Sequence, residues 1–243
     1  MKLLMIRHAD PDYEHDSLTP PGWVEAEALA QFMENIPVTD YYVSPLGRAQ
    51  DTASLTMKRI GREAIVLPWL TEFSHSTPLK PDYPDSAGVP WDWRPIHWTH
   101  RDEFYDTDRW AHAPEMEGAE IASHHESVCR HFDEFLAERG YSRSGRIYRT
   151  QEGNSDTYVL FCHFGIICIM LGHLFGLSPM VLWHSFCALP SSITTVVTEE
   201  RTKGYASMRM LSFGAMPHLE RAGIEPSFAA RFCETYEMSD QRH

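Results

Sequence analysis

The chain has little of what marks a disulfide scaffold, a metal finger, a membrane span or a nucleic-acid binder. Its five cysteines, Cys129, Cys162, Cys168, Cys187 and Cys233, are odd in number and are never paired at zinc-ligand spacing. That usage points to reduced thiols. Positive charge is scarce: 21 lysines and arginines stand against 34 aspartates and glutamates, a formal net charge of -13. A surface that acidic lacks the positive footprint that nucleic acid requires, and any anion site must be locally positive against it. The longest apolar run, Val159 to Leu177, is long enough to raise the question of a membrane span. His163, Gly165, Gly172, His173 and Gly176 interrupt it, and a strand, a turn and a helix explain it better. Met1-Lys2 leads directly into an apolar segment, so no targeting segment and a cytoplasmic location are expected. There is no internal repeat and no low-complexity tract.

What remains is an ordinary globular composition over 243 residues, 43% hydrophobic and 23% charged. It is enough for a sizeable core and fits one α/β domain with an insertion. The N-terminus reads as a buried strand, Leu3 to Ile6, that stops at Arg7-His8, and Pro11 keeps it from continuing as a central strand. Open α/β sheets place ligands at the carboxyl ends of their strands. A neutral imidazole there is an available nucleophile, and an adjacent guanidinium matches two phosphate oxygens. The competing reading pairs Arg7 with Asp10 or Asp12 and leaves His8 as a turn residue.

Thr19-Pro20-Pro21-Gly22 signals a helix start with Thr19 as cap. Ala26, Leu29, Ala30 and Met33 follow at helical spacing, and Pro37 closes the helix. Asp40 to Val43 reads as a second strand, and Ser44-Pro45-Leu46-Gly47-Arg48-Ala49 as a turn into a helix. Arg48 then falls in a first helical turn, where a cation is electrostatically disfavoured and a bound anion would relieve the conflict. The alternative is a surface pair with Asp51. Ile65 to Leu67 is a third strand, leading to Leu70-Thr71-Glu72. The stretch 74–117 holds six of the 16 prolines and four of the seven tryptophans. So many aromatics argue against disorder, and the stretch reads as a cap with Arg94, His97, His100, Arg101 and Arg109 as candidate substrate contacts, or as a solvated insert with self-packing tryptophans. Gly118 to Glu138 reads as a helix facing inward through Val128, Phe132, Phe135 and Leu136. A hairpin is expected around Ser144-Gly145. Thr157 to Cys162 is a strong buried strand that ends at His163-Phe164-Gly165, repeating the first pattern, with an apolar helix Ile166 to Phe175 behind it. Ser191 to Thr198 and Tyr205 to Phe213 read as strands, and Ser227 to Tyr236 as a short helix.

Taken in order, Arg7-His8, Arg48 in its Ser-Pro-Leu-Gly-Arg-Ala context, Glu72 and His163 in Cys162-His163-Phe164-Gly165 resemble the histidine phosphatase superfamily, in its phosphoglycerate mutase-like branch. Leu18-Thr19 with Gly22, and Gly118-Ala119-Glu120, add to the resemblance. It implies a three-layer α/β/α sandwich with a mostly parallel central sheet, a single domain over 1–243 carrying the cap insertion. It implies His8 as the phosphorylated nucleophile, with Arg7, Arg48 and His163 around the phosphoryl oxygens. Glu72 would be the acid/base carboxylate, with its pKa raised for the task. The expected function is a metal-independent phosphatase acting on a small phosphate monoester, without cofactor. Phosphoglycerate mutase chemistry or non-catalytic phospholigand binding are the alternatives, and a homodimer is a family-level expectation. Three departures stand out. Ala9 replaces a common glycine; Phe164 stands where mutases have glycine and acid phosphatases an aspartate; and the Trp-rich stretch does not resemble a mutase's substrate-holding segment. The last favours a phosphatase over a mutase.

Overall fold

The computed structural model describes residues 1–74, 88–117, 120–227 and 235–238. Its strands and helices, in chain order, are β1 (Lys2–Arg7), β2 (Pro11–Asp12), β3 (Ser17–Leu18), α1 (Pro20–Met33), β4 (Asp40–Val43), α2 (Gly47–Ile60), β5 (Ile65–Val66), α3 (Pro95–Trp98), α4 (Ile121–Ala137), β6 (Ser142–Ser144), β7 (Ile147–Arg149), β8 (Thr157–Cys162), α5 (Phe164–Phe175), α6 (Pro179–Ser185), β9 (Ile193–Thr202), β10 (Tyr205–Ala215) and α7 (Pro217–Ala222). One sheet of eight strands runs in the order β5-β4-β8-β1-β9-β10-β7-β6, and β2 and β3 form a small separate ribbon.

Alternation along the central strands makes the layers. Leu4 and Ile6 of β1, Tyr41 and Val43 of β4, and Val159 and Phe161 of β8 pack with Leu29, Met33, Ala53 and Met57 of α1 and α2. Leu3, Met5, Tyr42 and Leu160 point the other way, toward Phe132 and Leu136 of α4 and Ile166 to Met170 of α5. A side-chain period of two with both faces apolar needs cover on both faces. The three-layer α/β sandwich follows.

The sheet is mixed. β5, β4, β8 and β1 are mutually parallel, in line with their crossover helices. β9, β10, β7 and β6 continue antiparallel, because β9–β10 and β6–β7 are hairpins with short turns at Gly204 and Gly145. The parallel half is the one that carries Arg7-His8, Ser44 and His163 at its strand ends.

Thr19 caps α1 as its sequence indicates, its hydroxyl accepting from the Gly22 amide with prolines in the first turn. The apolar run Val159 to Leu177 resolves into β8 and α5, and no helix among the described residues is long and apolar enough to cross a membrane. The stretch 88–117 is mostly short 3₁₀ turns, yet Trp93, Trp98 and Trp110 are buried and join the core beside α4, α5 and α6. Trp110 meets Trp183 edge to face, and Phe73 stacks on Trp183. The insert is therefore part of the core, not a solvated appendage; residues 75–87 lie outside the described ones, as do Gly118-Ala119 and most of the C-terminal helix expected at Ser227 to Tyr236.

Candidate active site

β1 and β8 end level with one another, Arg7 opposite Cys162, and the His8 amide donates to the Cys162 carbonyl at 2.9 Å. The two residues after the strand ends, His8 and His163, are thereby neighbours. Their rings lie 5.2 Å apart, centroid to centroid. β4 ends one strand further on, so Ser44 follows Val43 into the same place, with its hydroxyl 2.7 Å from His163 Nε2. Sequence reading did not find Ser44. It names the position only as the start of a turn.

The chain after His8 is clamped. Thr52 accepts from the Ala9 amide at 2.9 Å and the buried Glu25 from the Asp10 amide at 3.0 Å. The Asp10 carboxylate accepts from Thr19 at 2.6 Å and from Ser227. A side chain on Gly22 would run into the Asp10 carbonyl, which gives the Leu18-Thr19 and Gly22 signature a physical reason: helix α1 must approach the loop closely. Arg7 has neither of its suggested partners. Its guanidinium donates to the Ala188 carbonyl at 2.7 Å and lies over the Phe164 ring, 5.7 Å from the centroid. Phe164, which departs from the family's usual residues, thus helps to hold Arg7.

Arg48 does not pair with Asp51, which instead accepts from Ser17. Asp16, in the β2–β3 turn, binds both the Arg48 guanidinium and the Gly47 amide, each at 2.6 Å. The anion needed at the start of α2 is therefore partly a protein carboxylate. Burial would raise the Asp16 pKa, but the Gly47 amide and the Arg48 guanidinium outweigh it and draw it below the usual range.

Burial, reinforced by the Arg7 charge, holds the His8 pKa well below 6.5; burial and then the neighbouring His8 do the same for His163. Both rings are neutral at neutral pH. His8 Nδ1 lies 2.8 Å from the Ala9 carbonyl, which can only accept, so Nδ1 carries the proton and Nε2 offers its lone pair. Ser44 Oγ accepts from the Leu46 amide at 3.2 Å and has its own proton to give to His163 Nε2. That leaves His163 Nδ1 as a donor. Replacing Ser44 by alanine removes the hydrogen bond that orients His163 and the one from the Leu46 amide. The first is worth about 1–1.5 kcal/mol, so kcat/KM for a phosphate ester is expected to fall about tenfold. The melting temperature should fall by ~2–4 °C per kcal/mol lost, with steady-state kinetics read well below the transition.

Glu72 follows a 3₁₀ turn (Pro68–Leu70) and is bracketed by the buried Leu70 and Phe73. Its Oε1 accepts from the amides of Phe73 (2.7 Å) and Ile166 (3.1 Å), its Oε2 from Gly165 (3.3 Å). The carboxylate therefore sits on the first turn of α5, directly behind His163. Burial raises its pKa against the pull of those amides and of Arg7 and Arg48.

Arg7, Arg48 and His163 share one property. Arg7 Nε, Arg48 Nε and His163 Nδ1 are buried polar atoms with no protein partner. Unpaired buried donors are costly and call for explanation. Two guanidiniums whose charges act on both histidine rings, each residue with such a buried donor, suit an anion with several acceptor oxygens. Other nucleophiles nearby are disqualified: burial pushes the Cys162 and Cys168 thiols above their ordinary pKa. Among the cap candidates, Arg101 pairs with Glu103 and Glu115, and Arg109 pairs with Asp106 on the surface, while Arg94 and His100 are exposed. No cluster of metal-ligating side chains occurs among the described residues.

The model of the histidine phosphatase superfamily (branch 1) matches residues 3–209. The chain belongs to that superfamily. Its fold agrees. A phosphoserine phosphatase mutant from Entamoeba histolytica, solved with phosphoserine, superposes with a TM-score of 0.55 at 18% identity, covering 90% of this chain and 98% of that one. A mycobacterial glucosyl-3-phosphoglycerate phosphatase gives 0.56 at 19%, covering 88% and 98%. The α-ribazole phosphatase from Shigella flexneri gives 0.56 at 18%, covering 89% and 98%. No curated protein matches significantly in sequence. The expected superfamily and the α/β sandwich are both borne out.

Proposed function

We propose that this histidine phosphatase superfamily member is a phosphatase that hydrolyses a small phosphate monoester through phosphohistidine at His8. The observation that carries the reading is the His8–His163 ring pair, 5.2 Å apart at the ends of two neighbouring strands and under the charges of Arg7 and Arg48, with Arg7 Nε, Arg48 Nε and His163 Nδ1 each buried and without a protein partner. The similar structures bear the names of phosphatases of phosphorylated small molecules, which supports the substrate class.

His8 Nε2 attacks phosphorus as the bond to the ester oxygen breaks. Arg7, Arg48 and His163 take the charge on the three equatorial oxygens. Glu72 gives its proton to the departing alkoxide. The carboxylate left behind then accepts a proton from water, whose oxygen attacks the phosphohistidine, releasing inorganic phosphate and restoring both groups. Two guanidiniums neutralise the phosphate dianion, so the chemistry does not call for a metal. Turnover of p-nitrophenyl phosphate is expected to continue unchanged with excess EDTA; a loss of activity restored by a divalent cation would overturn metal independence. With 3-phosphoglycerate, free phosphate should appear faster than any isomer, and the reverse order would reassign the protein as a mutase.

A further inference from the structure

The Trp-rich insert reaches the acid. Trp91 Nε1 donates to the Phe73 carbonyl at 2.9 Å, and the amide of the same Phe73 holds Glu72 Oε1 at 2.7 Å. Gly165 supplies a second fix. A β-carbon built on it would stand 2.6 Å from Glu72 Oε1 and 3.1 and 3.2 Å from Nε1 and Cδ1 of Trp91. The carboxylate and the edge of the indole therefore converge on one point over the first turn of α5, and only glycine leaves room for both. Trp91 itself is half-buried and packs against the core that includes Phe73.

The groups facing Glu72 mostly favour loss of its proton. Arg7 comes from β1 and Arg48 from α2, and the amides of Phe73, Gly165 and Ile166 donate to it. The thiols of Cys162 on β8 and Cys168 on α5 are neutral. What opposes them is removal from water, and the indole edge that closes on the same point over Gly165 as Glu72 Oε1 supplies part of that cover. A carboxyl group beside a tryptophan in an apolar pocket holds its proton near neutral pH in lysozyme by this physics.

We propose that Trp91 is a positioning residue that covers Glu72 and anchors Phe73 through its carbonyl, the residue whose amide holds the carboxylate, so that Glu72 can protonate poor leaving groups and the enzyme can act on alkyl phosphates. This rests on Glu72 as the acid of the proposed reaction. Alkyl alkoxides need that proton; p-nitrophenolate leaves without it. The tryptophan therefore acts on leaving-group specificity, not on phosphate binding.

The test compares Trp91→Ala, Trp91→Phe and Glu72→Gln, reading kcat/KM against pH for β-glycerophosphate and p-nitrophenyl phosphate. In Trp91→Ala, water reaches the carboxylate. The alkaline limb with the alkyl ester should move down by about one pH unit, and kcat/KM at pH 7 should fall about tenfold. The aryl ester should lose no more than about threefold by the same argument, which also shows that the variant is folded. Trp91→Phe keeps an aromatic cover and should keep the limb near its original place. An unmoved limb in Trp91→Ala, equal losses on both esters, or a limb displaced as far in Trp91→Phe overturns the proposal. If Trp91→Ala does not fold, Trp91→Leu is read by the same criteria. Glu72→Gln separates the two levels: if it leaves the alkyl-to-aryl ratio unchanged, Glu72 is not the acid and the mechanism falls; if it changes the ratio and Trp91→Ala does not, only the role of Trp91 falls.

Discussion

His8→Ala should lower phosphatase turnover by at least ~10³-fold, because in the proposed reaction it removes the atom that forms the covalent bond and not merely a binding contact. The arginines remain, so phosphate should still bind. A rapid acid-free quench of the wild-type protein with a ³²P-labelled ester should trap a phosphoenzyme stable to alkali and labile to acid, as a phosphoramidate is; His8→Ala should yield none. His15→Ala is the matched control. His15 is exposed in the β2–β3 turn and pairs, among the described residues, with Asp12, and its loss should leave turnover within about twofold, in keeping with surface substitutions. Equal activity in the two variants would remove His8 as nucleophile. The same substitution has a signature in stability. His8 is buried with its folded pKa well below 6.5, so below pH 6.5 the unfolded chain binds the proton more readily than the folded one. Its contribution to stability is complete above about pH 6.5 and is lost as pH falls through the window toward the lowered folded value. Urea midpoints measured between pH 7 and 5 should fall less steeply in His8→Ala than in the wild type.

Much of this site was readable because a buried strand that breaks off at a histidine is a conspicuous event. Arg7-His8 and His163 announce themselves by ending apolar runs, and the strands Asp40–Val43 and Thr157–Cys162 occur with the bounds expected of them. Helices α6 and α7 are absent from the elements read from sequence, although Ser178-Pro179 is a cap followed by a first-turn proline and the Ser178 hydroxyl does accept from the Met180 amide. What could not be read is whatever depends on one element reaching another. Asp16 lies in a polar loop, and nothing in its neighbours says that it will meet Arg48, 32 residues on. The conflict at the start of α2 was legible, but its resolution by an internal carboxylate was not. Ser44 and Glu25 are the same case: common residues whose meaning comes from the register of β4 with β8 and from the packing of α1 under the Asp10 loop. The tryptophans of the insert were visible as a composition and ambiguous as a role, since aromatics that pack on themselves and aromatics that join a core have the same local pattern. Phe164 stands out in the sequence only as a departure from glycine or aspartate; its contact with Arg7 is tertiary.

Glu72→Gln should cut kcat/KM for an alkyl phosphate by roughly 10²–10³-fold, the usual scale for loss of a general acid, and cut it far less for p-nitrophenyl phosphate. The geometry indicates where the proton rides. Oε1 accepts two amides, at 2.7 and 3.1 Å, while Oε2 accepts one at 3.3 Å. The less engaged Oε2 is the better place for a hydrogen, and the proposed reaction would have the leaving alcohol oxygen meet it there. Glutamine can keep its carbonyl at the Oε1 position but sets its amide nitrogen against the Gly165 N–H, so the fold should be destabilised by about 1–3 kcal/mol, short of unfolding a domain of ordinary stability. Activity loss then reports proton transfer and not collapse. Since burial raises the Glu72 pKa, the wild-type acid is active below that raised value and fails as pH climbs through it. The alkaline limb of the alkyl profile should disappear in Glu72→Gln, leaving only ionisations of the ester and the other site groups. In the proposed reaction the carboxylate also serves as base toward water in the second half. Glu72→Gln should therefore show a stoichiometric burst of p-nitrophenolate followed by a slow steady state, with His8 held as the phosphorylated form. A variant that loses both esters in equal proportion and shows no burst would place the proton donor elsewhere.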